Sequence, residues 1–500
     1  MQHLGSFDLI VVGGGVNGVG IARDAAGRGL TTLLCEKGDL AEGTSSRSSK
    51  LVHGGLRYLE HFEFRLVREA LIEREVLLRI APHIVWPMRF VLPHGAGQRP
   101  AWMVRAGLFV YDHLGGRKTL PPTRSLDLTV APEGRGIRPA FRRAFEYSDC
   151  WVDDSRLVVV NALDLKERGG LVRTRTPLIS ARREADGWRV VLRDEATGAA
   201  LGASARALVN ATGPWVEDVL RRAGRKADDR VRLIKGSHLV VRKFWRGDQA
   251  YLLQNDDGRV IFVIPYEDVF GLIGTTDIPF DGAPETVAIT TEETAYLLDA
   301  VHLYFDVGLE PVDVLHAYAG VRPLYNDRAA DPSAVTRDYV FDVEAPDAAA
   351  PLLTVFGGKI TTYRRLAEHA LDRLARFFPR MGKAWTGGAI LPGGELPGHG
   401  HDRFAADLLR RRPWLPAQIA ADYGRRYGVR ADDLLGGAGA LADLGRHFGA
   451  AFYEREARFL VAEEWARTAE DILMRRTKHG LHLTPIERDL FADWLARLRI

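Results

Sequence analysis

Short apolar runs that end in glycines, each followed by a helical pattern, mark the two ends of the first 380 residues of this chain. Asp8–Val12 is such a run, and it reads as a strand. Val16–Arg28 carries helical spacing, and Thr31–Cys35 is a second apolar run. Strand, helix and strand within about 30 residues predict a βαβ unit of a nucleotide-binding fold. Leu352–Lys359 repeats the strand-into-glycine pattern and leads into a predicted helix over Thr362–Phe377.

Between these ends the pattern changes. Leu66–Ile80 reads as an amphipathic helix, and Pro82–Pro122, rich in proline and bulky apolar residues, reads as an insertion. Strand-like segments recur over Leu171–Val209. They recur again over Arg232–Gly274, where HLVVRK, YLLQN, RVIFVIPY and VFGLIGTTD are short runs separated by turn residues. That block predicts an antiparallel sheet. The Gly/Pro-rich stretch Leu391–Asp402 marks a boundary, and beyond it helical spacing dominates to Ile500.

The predicted organisation is therefore a discontinuous nucleotide-binding domain over 1–80, 146–230 and 336–390. A segment at 81–145 is inserted into it, a substrate-side sheet lies over 231–335, and a helical domain follows over 391–500.

Composition narrows the picture by exclusion. The 500 residues include 68 Lys and Arg against 65 Asp and Glu, a formal net charge of +3. A nucleic-acid binder carries a more segregated basic excess, so no nucleic-acid partner is expected. Cys35 and Cys150 are far apart and match no metal or redox spacing, so they read as buried thiols in a reducing compartment. No run of about 18 apolar residues occurs, so membrane contact, if present, is peripheral.

The chemistry starts at Gly13-Gly14-Gly15-Val16-Asn17-Gly18, which fits G-x-G-x-x-G after a strand and at the opening of a helix. Such glycines let backbone approach a pyrophosphate at a helix N-terminus. Glu36 follows 18 residues after Gly18, where a carboxylate can accept from ribose hydroxyls, with Lys37 beside it. This context favours a dinucleotide but does not separate FAD from NAD. The loop Thr44-Ser45-Ser46-Arg47-Ser48-Ser49-Lys50-Leu51 offers hydroxyl and N–H donors to phosphate and ribitol oxygens, and reads equally as a solvated loop.

Longer segments carry a resemblance. Thr44–Leu59, with Lys50-Leu51-Val52-His53-Gly54-Gly55-Leu56-Arg57-Tyr58, resembles the signature of FAD-dependent glycerol-3-phosphate dehydrogenases of the bacterial, aerobic type. Ala211-Thr212-Gly213-Pro214-Trp215 and Phe356-Gly357-Gly358-Lys359-Ile360-Thr361-Thr362-Tyr363-Arg364 resemble later flavin motifs of the same proteins. Glu146–Asp154, Leu233–His238, Ile273–Asp277, Gly320–Leu324, Thr336–Tyr339 and Arg475–Lys478 extend the similarity over almost the whole chain.

The resemblance implies an α/β fold. It comprises a Rossmann-like FAD-binding domain of the glycine-oxidase and glutathione-reductase kind, an antiparallel-sheet substrate domain and a C-terminal all-helical cap. It also implies oxidation of sn-glycerol 3-phosphate to dihydroxyacetone phosphate by hydride transfer from C2 to FAD N5. Electrons would pass to a membrane quinone, with the protein held at the cytoplasmic face of the inner membrane. A homodimer is compatible with it. Cofactor contacts are expected from Gly13, Gly14, Gly15, Asn17, Gly18, Glu36, Lys37, Thr44, Ser45, Ser46, Ser49, Lys50, Leu51, Gly213, Trp215, Gly358, Lys359 and Thr361. Substrate contacts are expected from Arg57, Tyr58, Thr275, Arg337 and Lys359, the cations suiting a phosphomonoester; Thr276 is easily confused with Thr275.

An alcohol oxidation needs a proton acceptor. His238 suits that role, and Arg322 either shares it or polarises the alkoxide; the sequence leaves the two open. Pro100–Leu114, with Trp102, Met103, Leu108, Phe109 and Tyr111 beside Arg105, fits a membrane-interface helix and an interior helix equally well. No calcium loop or metal site is expected. Two other readings fit the same motifs: an oxidase that uses O2, and a non-catalytic protein that carries FAD as structural support.

Overall fold

The computed structural model describes residues 1–116, 119–227, 230–326, 338–346, 349–396 and 400–498. Its first layer is an eight-stranded sheet centred on Gln2–Val12, which lies between Thr32–Cys35 and Ala200–Asn210, parallel to both. Leu9, Ile10 and Val11 are fully buried because both faces of the sheet are covered, which explains an unbroken apolar run in place of an alternating one. Helices Val16–Gly27, Asp154–Glu167 and Tyr363–Leu374 pack on one face. The antiparallel hairpin Leu178–Glu184/Gly187–Arg193 and the helix Val216–Arg222 lie on the other. Val340–Glu344 and Leu352–Phe356 extend the sheet edge beside Ala200–Asn210.

The second layer is a ten-stranded sheet. Val231–Arg242 pairs antiparallel with Phe270–Gly274 and with His316–Tyr325, and Val260–Tyr266 and Ala250–Gln254 continue in antiparallel register. The inserted segment is part of this sheet and no mere appendage. Val85–His94 pairs parallel with Ala250–Gln254 and antiparallel with Arg143–Val152. That last strand corrects the boundary expected at 146. Its register runs from Val85↔Val152 to His94↔Arg143, so its backbone groups are committed to the large sheet. The nucleotide-binding part resumes at Asp153, whose carboxylate caps the helix Asp154–Glu167 by accepting from the Arg156 N–H.

Phe64–Ile80 and Ala101–Leu114 cover one face of the large sheet, and Thr291–Tyr304 the other, its start fixed by a capping box between Thr290 and Glu293. The C-terminal domain is helical from His401 to Arg497, apart from a short hairpin of His447–Gly449 and Phe452–Tyr453 that the expectation of an all-helical cap did not include. Its core is separate, yet it is tied to the first layer by buried ion pairs, among them Arg156–Glu464 with both side chains fully enclosed.

Candidate functional site

A cavity of about 780 Å³ opens where the C-terminal ends of the parallel strands meet the large sheet. Two glycines set its floor. Gly13, at φ +113, would place a Cβ 2.6 Å from the Ala211 carbonyl oxygen, and a Cβ on Gly18 would lie 1.9 Å from the Gly13 carbonyl oxygen. Only hydrogen fits at either point, so the helix Val16–Gly27 starts against the ends of two strands with its N-terminal N–H groups turned to the cavity. Gly18 is thus a packing residue and is not among the cavity-lining residues. Gly14 also lies behind the surface, its N–H donating to Glu36 at 2.5 Å. The second carboxylate oxygen of Glu36 accepts from the Gly38 N–H at 2.8 Å. Burial raises the pKa of Glu36, and these N–H bonds oppose that shift.

Separate segments converge by side-chain-to-backbone bonds. Asn17 donates to the Gly357 carbonyl at 3.1 Å and Thr44 to the Val321 carbonyl at 2.7 Å. Ser45 accepts from the Val16 N–H at 3.0 Å. Lys37 forms an ion pair with Glu285 at 2.8 Å and sits 3.7 Å over the Trp215 ring. Gly15, Ser49, Leu51, Gly213, Gly358, Lys359 and Thr361 complete this part of the lining.

Lys50 departs from the expected cofactor contact. Its ammonium is buried against Asp154, at 2.9 Å, and donates to the Ser46 carbonyl at 3.1 Å. Lys50 precedes the short strand Leu51–Val52 at a positive φ of 57°, and its neighbours Ser49 and Leu51 line the cavity where it does not. His53, just beyond that strand, also lines the cavity and was not among the expected site residues. Burial lowers the basicity of His53, Asp149 partly offsets this, and Lys359 adds to it. Ser46, whose N–H donates to the Ala41 carbonyl, also lies outside the lining.

Tyr58, His238, Thr275, Arg322 and Lys359 also line the cavity. The Lys359 ammonium lies 4.0 Å over the Tyr58 ring. Arg322 donates to the Thr276 carbonyl at 2.9 Å and pairs with Asp277 at 2.8 Å, which holds its guanidinium at the wall. Thr275 and Thr276 are now distinguishable: Thr275 lines the cavity, whereas Thr276 is fully buried and donates to Glu293. Arg57 is half-buried on the turn Leu56–His61 and is not among the lining residues. Arg337 lies outside the described residues.

His238 is buried, stacked on Tyr318 at 4.8 Å, with Nε2 2.9 Å from the Ser49 hydroxyl and Nδ1 without a hydrogen-bond partner. Burial, reinforced by the charges of Lys50 and Arg322, lowers its pKa to about 3. The imidazole is therefore neutral under ordinary conditions and has a lone pair available. Among the described residues no cluster of metal-ligating side chains occurs.

Comparison with known proteins places this geometry. A family model described as "FAD dependent oxidoreductase" matches residues 8–364, and one described as "C-terminal domain of alpha-glycerophosphate oxidase" matches 385–486. The chain is 59% identical over 488 residues to D-erythritol 1-phosphate dehydrogenase of Brucella abortus strain 2308, covering 97% of each protein. It is 53% identical over 493 residues to glycerol-3-phosphate dehydrogenase of Pseudomonas aeruginosa, covering 98% of this chain and 95% of that one. Among solved structures it resembles the FAD complex of glycerol-3-phosphate dehydrogenase from Bacillus halodurans. The TM-score there is 0.76 at 27% identity, over 98% of this chain and 94% of the other.

The residues present fit FAD. Asn17 Oδ1 is buried and unpartnered at the cavity wall, the Gly13–Gly15 turn adds no side chain there, and Glu36 and His238 line the same cavity.

Proposed function

The chain belongs to the family of FAD-dependent oxidoreductases, and we propose that it oxidises the secondary alcohol of a small polyol phosphate, sn-glycerol 3-phosphate to dihydroxyacetone phosphate. One observation carries this reading: Lys359, Arg322, Tyr58, Thr275 and His238 line the same cavity as the glycine turn and Glu36. Two cations, two hydroxyl groups and a neutral imidazole suit a phosphomonoester with an adjacent carbinol. FAD bound along the lining supplies the acceptor for the hydride that leaves C2.

Gly13, Gly15 and Asn17 would hold the pyrophosphate, Glu36 the ribose, and Thr44, Ser45 and Ser49 the ribitol side. Lys359 and Tyr58 bind the phosphate, in this reading with Arg57 and Arg337. Arg322, kept in place by Asp277, faces the substrate hydroxyl and stabilises negative charge as it develops on that oxygen. His238 accepts the hydroxyl proton, with Ser49 orienting the ring.

A second substrate is favoured by a specific observation. The identity to the D-erythritol 1-phosphate dehydrogenase, 59%, exceeds that to the glycerol-3-phosphate enzyme, 53%, over comparable lengths. A tetritol phosphate presents the same phosphate and carbinol with one further CHOH. The reading of the reaction is the same for both, and the length of the polyol is what separates them.

The electron acceptor in this proposal is a membrane quinone. No helix among the described residues is long and apolar enough to cross a membrane. The helix Ala101–Leu114 buries Leu108 and Tyr111 and exposes Trp102 (69%) and Phe109 (64%), with Met103 and Val110. It packs beside the turn Leu56–His61 and the helix Phe64–Ile80, where Phe62 (79%) and Phe64 are exposed. Apolar residues gathered on one face, with aromatics suited to a headgroup layer, support peripheral docking at the cytoplasmic face of the inner membrane.

Anaerobic mixing with each polyol phosphate tests the reaction. Flavin absorbance bleaches with sn-glycerol 3-phosphate, and reoxidation by a soluble quinone outpaces that by O2. Bleaching by D-erythritol 1-phosphate with the larger kcat/KM transfers the assignment to the tetritol, and bleaching by neither refutes both.

His238→Gln slows that bleaching by about 10²–10⁴-fold while substrate still binds. Because the imidazole pKa is lowered to about 3, the neutral form persists as pH falls. Wild-type reduction therefore shows no loss near the ordinary imidazole value of about 6.5. A wild-type rate in the variant removes His238 from the role and leaves it to a water held by Arg322.

The protein floats with vesicles of mixed neutral and anionic phospholipid, and replacing Trp102 and Phe109 by Ser abolishes flotation. Undiminished flotation of that variant moves the docking face elsewhere.

A further inference from the structure

The C-terminal domain reaches the nucleotide-binding domain at one carboxylate. Asp39 lies three residues after Glu36, is fully buried, and does not line the cavity. Two consecutive arginines from the C-terminal domain converge on it. Arg476 is bidentate, Nη1 and Nη2 each 2.8 Å from a different carboxylate oxygen, and Arg475 Nε adds a bond of 2.8 Å. Both arginines sit on a single π-helical turn, Asp471–Arg476.

The turn is anchored on all sides. Arg476 donates twice to the Glu464 carbonyl, at 2.7 and 3.1 Å. Asp471 accepts from Arg475 and from Arg175, at 2.5 and 2.6 Å, while the Arg175 N–H donates to the Gly38 carbonyl at 2.8 Å. Two residues further on, Lys478 pairs with Asp153 at 3.0 Å, next to the Asp154 that holds Lys50.

These contacts bracket residues 38–50, the segment that contributes Glu42, Gly43, Thr44, Ser45 and Ser49 to the cavity wall. Its inner bonds point the same way: the Ala41 N–H donates to the Gly14 carbonyl and the Ser46 N–H to the Ala41 carbonyl, each at 3.1 Å. Taking three charges out of water is a poor source of net stability, and its best-supported use is to specify one arrangement. Leu40 and Ala41 anchor the start of this segment in the core, but residues 42–50 have no apolar side chain of their own with which to fix their path.

We propose that Arg475 and Arg476 are positioning residues for FAD: through Asp39 they lock the segment 38–50 against the glycine turn, so that the C-terminal domain governs how tightly the cofactor is held. This rests on FAD binding at the described cavity and not on the identity of the substrate.

The test uses full-length protein freed of flavin, titrated with FAD and read by quenching of flavin fluorescence. Amide hydrogen exchange is followed in parallel. Arg476→Gln and Asp39→Asn raise the Kd for FAD by roughly tenfold or more. Exchange accelerates over 38–50 and 467–479 but not over the strands 2–12 and 200–210. Arg475→Gln, whose side chain is partly exposed, removes one of the same bonds with less risk to folding and shifts Kd in the same direction. Lys166→Gln breaks an exposed ion pair with Glu463 across the same junction and leaves Kd unchanged. A folded Arg475→Gln protein whose Kd stays within about twofold of the parent overturns the proposal. So does exchange that rises uniformly over the domain, since that pattern means general destabilisation. Failure of the parent protein to bind FAD at all would refute the cofactor reading instead.

Discussion

The close approach of the first helix to the ends of two parallel strands is the constraint from which the site follows. Gly13 touches Ala211 and Gly18 touches Gly13, with no space for a methyl group at either contact. Once the helix starts there, the first-turn N–H groups that Ser45 does not take up lie by the cavity, and they can offset part of a pyrophosphate's charge. Of the cations that line the cavity, Lys37 is paired with Glu285 and Arg322 with Asp277, while Lys359 lies over the Tyr58 ring. Asn17 carries the constraint onward to Gly357, and Ser45 and Thr44 carry it to the helix start and to the strand His316–Tyr325.

Two sheets meeting at this point divide the chemistry. The parallel sheet presents strand ends and helix N-termini, suited to a dinucleotide. The large sheet presents side chains from its flat interior: His238 on Val231–Arg242, Arg322 on His316–Tyr325 and Thr275 just past Phe270–Gly274. Those side chains are held by neighbours on the same sheet, as Arg322 is by Asp277 and His238 by Tyr318. Rigid strands position such groups better than loops do.

Much of this was legible in the sequence where local pattern and global fold agree. The βαβ unit, the antiparallel block over 232–274 and the helical C-terminus all follow from periodicity. The strand Arg143–Val152 was not, because its partner Val85–His94 lies about fifty residues away and its apolar run is equally at home in either sheet. The placement of Lys50 was not legible either, because a motif names residues without saying where each side chain points; its ammonium is taken up by Asp154 while Ser49, Leu51 and His53 line the cavity. The depressed basicity of His238 comes first from its burial and then from Lys50 and Arg322 arriving from distant segments, and no local signal carries either. The clamp on Asp39 spans 437 positions and was invisible for the same reason, although Arg475-Arg476-Thr477-Lys478 stood out as a motif.

The central claim is that one cavity seats the flavin and the phosphate-bearing substrate in contact. Its most direct test is a titration of the oxidised holoprotein with a phosphomonoester that has no oxidisable carbinol, such as phosphoglycolate, read in the visible flavin spectrum. A saturable difference spectrum is predicted, with an affinity at least about tenfold weaker in Lys359→Met, since a charge-assisted contact is lost. A flavin spectrum that stays unperturbed while the ligand still inhibits turnover would place the phosphate site away from the flavin and contradict the account.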